Sequence, residues 1–204
     1  MIELLCHNSI RLTGDKTIYI DPYKIDKNYK DADYIFITHS HYDHFSEEDI
    51  EKIMKSTTKL VTVETSREVA LKLVEKENLT IVEPNRRYKI DDINFETTYA
   101  YNIEKSFHPK ENKWVGYIIN FDNKVYYIAG DTDNIPEIQN VKADVAFIPI
   151  GGTYTMDYKE AANLANKIKS NIIVPTHYGL IVGSKEDAEE FKKLVTDKDV
   201  KIFI

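Results

Sequence analysis

One cysteine, Cys6, is all that the 204 residues contain, which excludes an internal disulfide framework and fits a reducing compartment. Beside an apolar stretch it reads as a small buried hydrophobe rather than a nucleophile. Long apolar runs are missing too. The longest, such as Val145-Ala146-Phe147-Ile148 and Ile172-Ile173-Val174, fall far short of the roughly 20 residues that span a bilayer. The opening Met1-Ile2-Glu3-Leu4-Leu5 has no basic region and no extended hydrophobic segment, so a secretory signal is not expected and the cytoplasm is the expected location. Positive charge is in deficit. A net charge of −7 works against a nucleic-acid partner, because neutralising phosphates requires a basic face. Fixed-period repeats, low-complexity tracts and linkers are also lacking, and one domain over residues 1–204 is expected. A hydrophobic content of 42% with 30% charged residues is ordinary for a globular chain.

What is present is concentrated at Thr38-His39-Ser40-His41-Tyr42-Asp43-His44. It follows Tyr34-Ile35-Phe36-Ile37, an apolar run with the length and β-branched content of a buried strand. In extended backbone alternate side chains point the same way, so His39 and His41 can grip one ion as a pair. Asp43 lies two residues on, and the loop is expected to turn His44 elsewhere, which suits a second ion beside the first. Burying so many half-polar groups without a partner would cost about 1–3 kcal/mol each.

Ligand types recur at the ends of other expected strands. Thr17–Ile20 leads to Asp21-Pro22, Lys124–Ala129 to Gly130-Asp131, and Ile172–Thr176 to His177. Further strands are expected at Leu4–Asn8, Lys59–Val63, Thr80–Val82, Arg87–Ile90, Ile93–Tyr99, Gly116–Phe121, Asp144–Ile150 and Lys201–Ile204. Ser46-Glu47-Glu48-Asp49, Thr65-Ser66-Arg67-Glu68 and Ser184-Lys185-Glu186-Asp187 read as capping boxes that open helices. Another helix carries Ala161, Leu164, Ala165 and Ile168 at helical spacing. Two sheets with helices outside fit this order best, and residues at separate strand ends can then converge at one sheet edge.

The runs His39-x-His41-x-Asp43-His44, Gly130-Asp131-Thr132 and Pro175-Thr176-His177-Tyr178 resemble the metallo-β-lactamase superfamily. Leu5-Cys6-His7-Asn8-Ser9, Ile20-Asp21-Pro22 and Pro149-Ile150-Gly151-Gly152-Thr153-Tyr154-Thr155 narrow the resemblance to small hydrolases related to ascorbate-6-phosphate lactonase. The resemblance implies an α/β fold, a four-layer αβ/βα sandwich, with a dinuclear centre at one edge. It implies that His39 and His41 bind one ion, Asp43, His44 and His177 the other, and Asp131 bridges. Asp21 is then a residue that orients ligands rather than touching metal, and His7 stands at the mouth of the site. At the position where the family has a third histidine for the first ion, this chain has Asn102. His108 is the substitute ligand, with Asn102 and a water as the alternative.

The expected activity is metal-assisted hydrolysis of a small ester, lactone or phosphodiester, with Asp43, Asp131 and His7 as the catalytic groups. Gly152, Thr153, Tyr154 and Tyr178 are the expected substrate contacts, and His7, Tyr154 or Tyr178 the donors to a developing oxyanion. Nitrogen and carboxylate ligands without thiolate suit two divalent ions, zinc first, with manganese, nickel or iron as alternatives. Diiron oxidases of this fold carry glutamate where His41 stands. The RNA-processing branch and the glyoxalase-like thioesterases carry additional domains for which the chain leaves no room. The alternatives are a metal-binding module without turnover and a phosphodiesterase or nuclease of the same superfamily. A small-molecule substrate is the expected partner, without nucleic acid or membrane, and self-association is left open.

Overall fold

Two sheets divide the chain between them. The structure, a computed structural model, describes residues 1–204 and separates into two units, Met1–Glu83 and Pro84–Ile204, each built on one sheet.

In the first unit, β1 (Ile2–Cys6), β2 (Ser9–Thr13) and β3 (Thr17–Ile20) form an antiparallel meander. Then β4 (Ala32–Phe36), β5 (Met54–Val63) and β6 (Leu79–Val82) add in parallel, in the order in which they occur in the chain. Parallel neighbours need crossovers. The helices α1 (Glu47–Ile53) and α2 (Arg67–Leu73) provide the two that follow β4 and β5. Ile50 and Ile53 of α1 and Ala70 of α2 bury into one core with Tyr19, Ile35 and Leu60 from β3, β4 and β5.

The second unit repeats the plan. Here β7 (Arg87–Ile90), β8 (Ile93–Tyr99), β9 (Val115–Phe121) and β10 (Lys124–Ile128) form the meander. The strands β11 (Lys142–Pro149), β12 (Lys169–Thr176) and β13 (Asp199–Val200) continue in parallel from β10. The crossovers are α3 (Tyr158–Lys167) and α4 (Lys185–Leu194), whose Ala161, Leu164, Ala165, Ala188 and Phe191 pack with Ala146, Ile148 and Ile173 of the sheet. The Asp122-Asn123 turn places both residues at positive φ, 50° and 58°, as a two-residue hairpin of matching twist requires.

This topology decides where the ligand types go. β3 and β4 are parallel neighbours, so Asp21 and the 38–44 segment leave the first sheet at the same edge. β10, β11 and β12 are parallel neighbours as well, so Asp131, Gly151 and His177 leave the second sheet at one edge. In open parallel sheets the carboxyl ends of the strands are where ligands bind.

Several elements differ from the sequence expectation. His7 and Asn8 belong to the turn after β1, not to the strand, and His7 takes a φ of 53°. The expected capping box at Thr65–Glu68 does not form. A short 3-10 turn, Glu64–Ser66, precedes α2, and Ser66 is already near-helical at φ −106°, ψ 0°, so its side chain makes no cap bond. β5 begins directly after α1, five residues before the expected start, and the closing strand is Asp199–Val200 rather than Lys201–Ile204.

Candidate metal centre

The histidine segment begins two residues past the end of β4 and runs through bends and a turn, not through extended backbone. The pairing of His39 with His41 survives that difference: His39 Nε2 lies 3.1 Å from His41 Nδ1. His44 is not turned elsewhere, because the amides of His44 and Phe45 both bond back to the carbonyl of His41. Its ring centroid lies 4.0 Å from that of His39.

Asp21 organises this group from behind. Its own amide bonds to the Phe36 carbonyl across β3 and β4, which fixes it at the sheet edge with a φ of 46°. Its carboxylate accepts from Thr38 N (2.8 Å), Thr38 Oγ1 (2.7 Å) and Asn8 Nδ2 (2.8 Å), and meets His44 Nδ1 at 2.7 Å. A carboxylate this far committed makes His44 Nδ1 the donor and leaves the lone pair on Nε2. Thr38 Oγ1, whose proton goes to Asp21, must accept from His39 Nδ1 at 3.0 Å, which fixes His39 the same way. Asp43 Oδ2 lies 3.3 Å from His7 Nε2 and 3.7 Å from His44 Nε2. His7 is fully buried, with its ring edge toward Tyr23 and His44.

In the second unit Asp131 Oδ2 stands between two imidazoles, 3.1 Å from His108 Nε2 and 3.0 Å from His177 Nε2. His177 follows β12 at a φ of 59°, and its carbonyl approaches Gly151 so closely that a Cβ there would lie 2.4 Å from it. Left-handed backbone at His7, Asp21 and His177 costs on the order of 1–3 kcal/mol per residue and concentrates at functional sites. Asn102 does not offer a ligand atom: its Oδ1 accepts from His108 N (3.0 Å) and meets His108 Nδ1 (2.9 Å), while its Nδ2 donates to Asp133 Oδ1 and the Tyr154 carbonyl. With Nδ1 of His108 as donor, Nε2 turns its lone pair to Asp131 Oδ2. Two acceptors facing each other at 3.1 Å repel unless a proton or a metal cation lies between them, and imidazole and carboxylate donors set this way fit a metal.

Among the expected substrate contacts, Gly152 lines a cleft of about 770 Å³ in the second unit, together with Ile103, Lys105, Asp133 and Lys159. Thr153 is exposed and the Tyr154 ring packs against Phe107 at 4.7 Å. Tyr178 is a correction. Its ring is buried and its hydroxyl already donates its proton to the Ile204 carbonyl at 2.9 Å, so it is not aimed at a substrate oxyanion. Thr38, Asn8 and Asp133 were not singled out from the sequence, although Thr38 and Asn8 stand inside the motifs named above and Asp133 directly follows one.

A family model described as the beta-lactamase superfamily domain matches residues 1–177. A UPF0173 metal-dependent hydrolase of Pyrococcus abyssi is 32% identical, covering 97% of this chain and 92% of its own. One from Staphylothermus marinus is 33% identical, covering 96% and 90%. A crystal structure from Parabacteroides distasonis superposes at a TM-score of 0.82 with 30% identity, over 98% of this chain and 91% of that one. A metallo hydrolase of Ignicoccus hospitalis, 24% identical, shares the fold at a TM-score of 0.80 over 98% and 93%. The chain belongs to the UPF0173 family of the metallo-β-lactamase superfamily and has its α/β fold.

Proposed function

We propose that the chain is a metal-dependent hydrolase acting on a small ester, lactone or phosphodiester, with residues 1–204 working as one domain. The names of its UPF0173 relatives support the activity, and a family match that runs through both units supports the single domain. The site would hold two divalent ions, and imidazole and carboxylate donors without thiolate would suit zinc first, with manganese, nickel or iron as alternatives. His39, His41 and His108 would hold one ion, Asp43, His44 and His177 the other, and Asp131 would serve both. The observation that carries this reading is the Asp131 carboxylate oxygen set between two imidazole nitrogens at 3.0 and 3.1 Å.

Bound ions of this class act as Lewis acids and bring the pKa of water toward about 7. Asp21 and Thr38 keep the ligand nitrogens of His44 and His39 aimed outward from the sheet edge. Asp43 orients the attacking water and holds the proton it gives up at Oδ2. His7 Nε2, 3.3 Å from that oxygen, passes the proton on to the leaving group. Gly152, Thr153 and Tyr154 receive the substrate.

Protein loaded in turn with zinc, manganese, nickel and iron, and assayed against panels of lactones and phosphodiesters, tests the reading. Hydrolysis is expected with at least one metal, abolished by exhaustive chelation and restored on reloading. Activity unchanged by chelation overturns the mechanism. Retained metal without turnover in either panel overturns the activity and leaves a binding module.

A further inference from the structure

Two residues beyond Asp131, Asp133 is buried and both of its carboxylate oxygens accept hydrogen bonds. Oδ1 accepts from Asn102 Nδ2 at 3.1 Å and Lys105 Nζ at 2.8 Å, and Oδ2 accepts from the amide of Ile103 at 2.9 Å. The Asp133 amide in turn bonds to the Tyr101 carbonyl, so the 101–105 segment is clamped from both sides. This settles which way the Asn102 amide faces. Its nitrogen meets two obligate acceptors, Asp133 Oδ1 and the Tyr154 carbonyl, and its oxygen meets an obligate donor, the His108 amide. The oxygen that accepts from that amide also stands 2.9 Å from His108 Nδ1, which must therefore carry the ring proton. A flipped Asn102 would present its NH₂ group to the ring instead, select the Nε2–H form and block the atom aimed at Asp131.

We propose that Asp133 is a positioning residue for His108, acting through the Asn102 amide, and that Lys105 holds the Asp133 carboxylate in its place. The inference rests on the reading of His108 as a metal ligand. It extends the motif Gly130-Asp131-Thr132-Asp133 into two roles: Asp131 faces the imidazole nitrogen that binds, and Asp133 governs the nitrogen that does not. Lys105 also lines the cleft that contains Gly152, so the same chain of contacts runs from the cleft wall to the ligand.

The test uses the full chain, zinc titration by calorimetry, and long-range ¹H–¹⁵N spectra of the histidine rings. In metal-free wild type His108 is expected as the Nδ1–H tautomer. In Asp133→Ala it becomes a mixture of tautomers, His177 is unchanged, and zinc affinity falls roughly 10–100-fold. Lys105→Met moves both readouts in the same direction by a smaller factor. Combining Asp133→Ala with Asn102→Ala weakens zinc no further than Asn102→Ala alone, because both act through one amide. Wild-type zinc affinity and an unaltered His108 tautomer in Asp133→Ala would overturn the proposal, as would strictly additive losses in the double variant. Should Asp133→Ala not fold, the Lys105→Met and Asn102→Ala pair carries the same cycle, with coupling supporting and additivity refuting. A wild type that retains no zinc defeats the metal reading, whereas the metal-free tautomer still judges the positioning role.

Discussion

At the scale of single residues, Asp21 is where the ligand geometry is most exposed to test. It is fully buried and its carboxylate meets four donors from Asn8, Thr38 and His44. Asp21→Asn keeps the shape but puts an NH₂ group against at least one of those donors, at a cost of about 1–3 kcal/mol. The expected outcome is a lower melting temperature together with a roughly 10–100-fold loss of zinc affinity, read by calorimetry. Gly151→Ala makes a separate claim: a Cβ 2.4 Å from the His177 carbonyl forces that residue to move. It should destabilise by about 1–3 kcal/mol and weaken metal binding although Gly151 itself has no ligand atom; unchanged melting and unchanged affinity would show that the close approach is slack. The placement of His39, His41, His44, Asp131 and His177 just beyond strand ends was legible in the sequence, because each follows an apolar run of strand length. The partners of Thr38, Asn8 and Asp133 were not, because those residue types belong to turns and caps in any protein and only the fold shows which group each one meets. Tyr178 was misread for a related reason: its neighbour His177 advertises a site, while its own hydroxyl reaches a carbonyl 26 positions along the chain.

At the scale of elements, α1 is tied to the loop behind Asp21 through Asp49. Ser46 caps the helix by accepting from the Asp49 amide, and the Asp49 carboxylate accepts from the amides of Lys24 and Ile25 and from Lys52. Burial opposes ionisation of Asp49, but Lys52, Ser46 and the two amides outweigh it and hold the carboxyl below its ordinary value of 3.8. A depressed folded pKa means that this stabilisation is complete above pH 3.8 and is lost as the pH falls through the lower folded value. Thermal melts of Asp49→Asn should therefore lie below wild type at pH 7 and converge with it toward pH 2; parallel curves across that range would contradict the assignment. Helix starts with a side chain at an extended cap, Ser46 and Ser184, could be read directly from the sequence. The Thr65–Glu68 start could not, since the preceding 3-10 turn removes the extended cap that the motif presumes. Strand order was legible where turn chemistry is explicit, as at Asp122-Asn123. The start of β5 was not, because Lys55, Ser56, Thr57 and Thr58 carry no apolar alternation.

At the scale of the whole molecule, two units of one plan, each an antiparallel meander continued by parallel β-α-β crossovers, each carry ligand types at the carboxyl ends of their own parallel strands. The sequence disclosed two sheets and their flanking helices but not this shared plan, because residues in the two meanders have nothing in common beyond alternation. If ligands from both units serve one centre, metal binds the folded chain and not the unfolded one. Zinc at 100 times its Kd then adds about 2.7 kcal/mol, which raises the melting temperature by roughly 5–11 °C in a chain of this size; no shift on chelation would argue against it. The most direct measurement is anomalous diffraction at the zinc edge from crystals of the loaded protein. The proposed centre predicts two peaks, one bound by His39, His41 and His108, the other by Asp43, His44 and His177, with Asp131 touching both at about 2.0–2.2 Å. Zinc bound by His39 and His44 with Asp131 and His177 out of reach, or no peak at all, would contradict it.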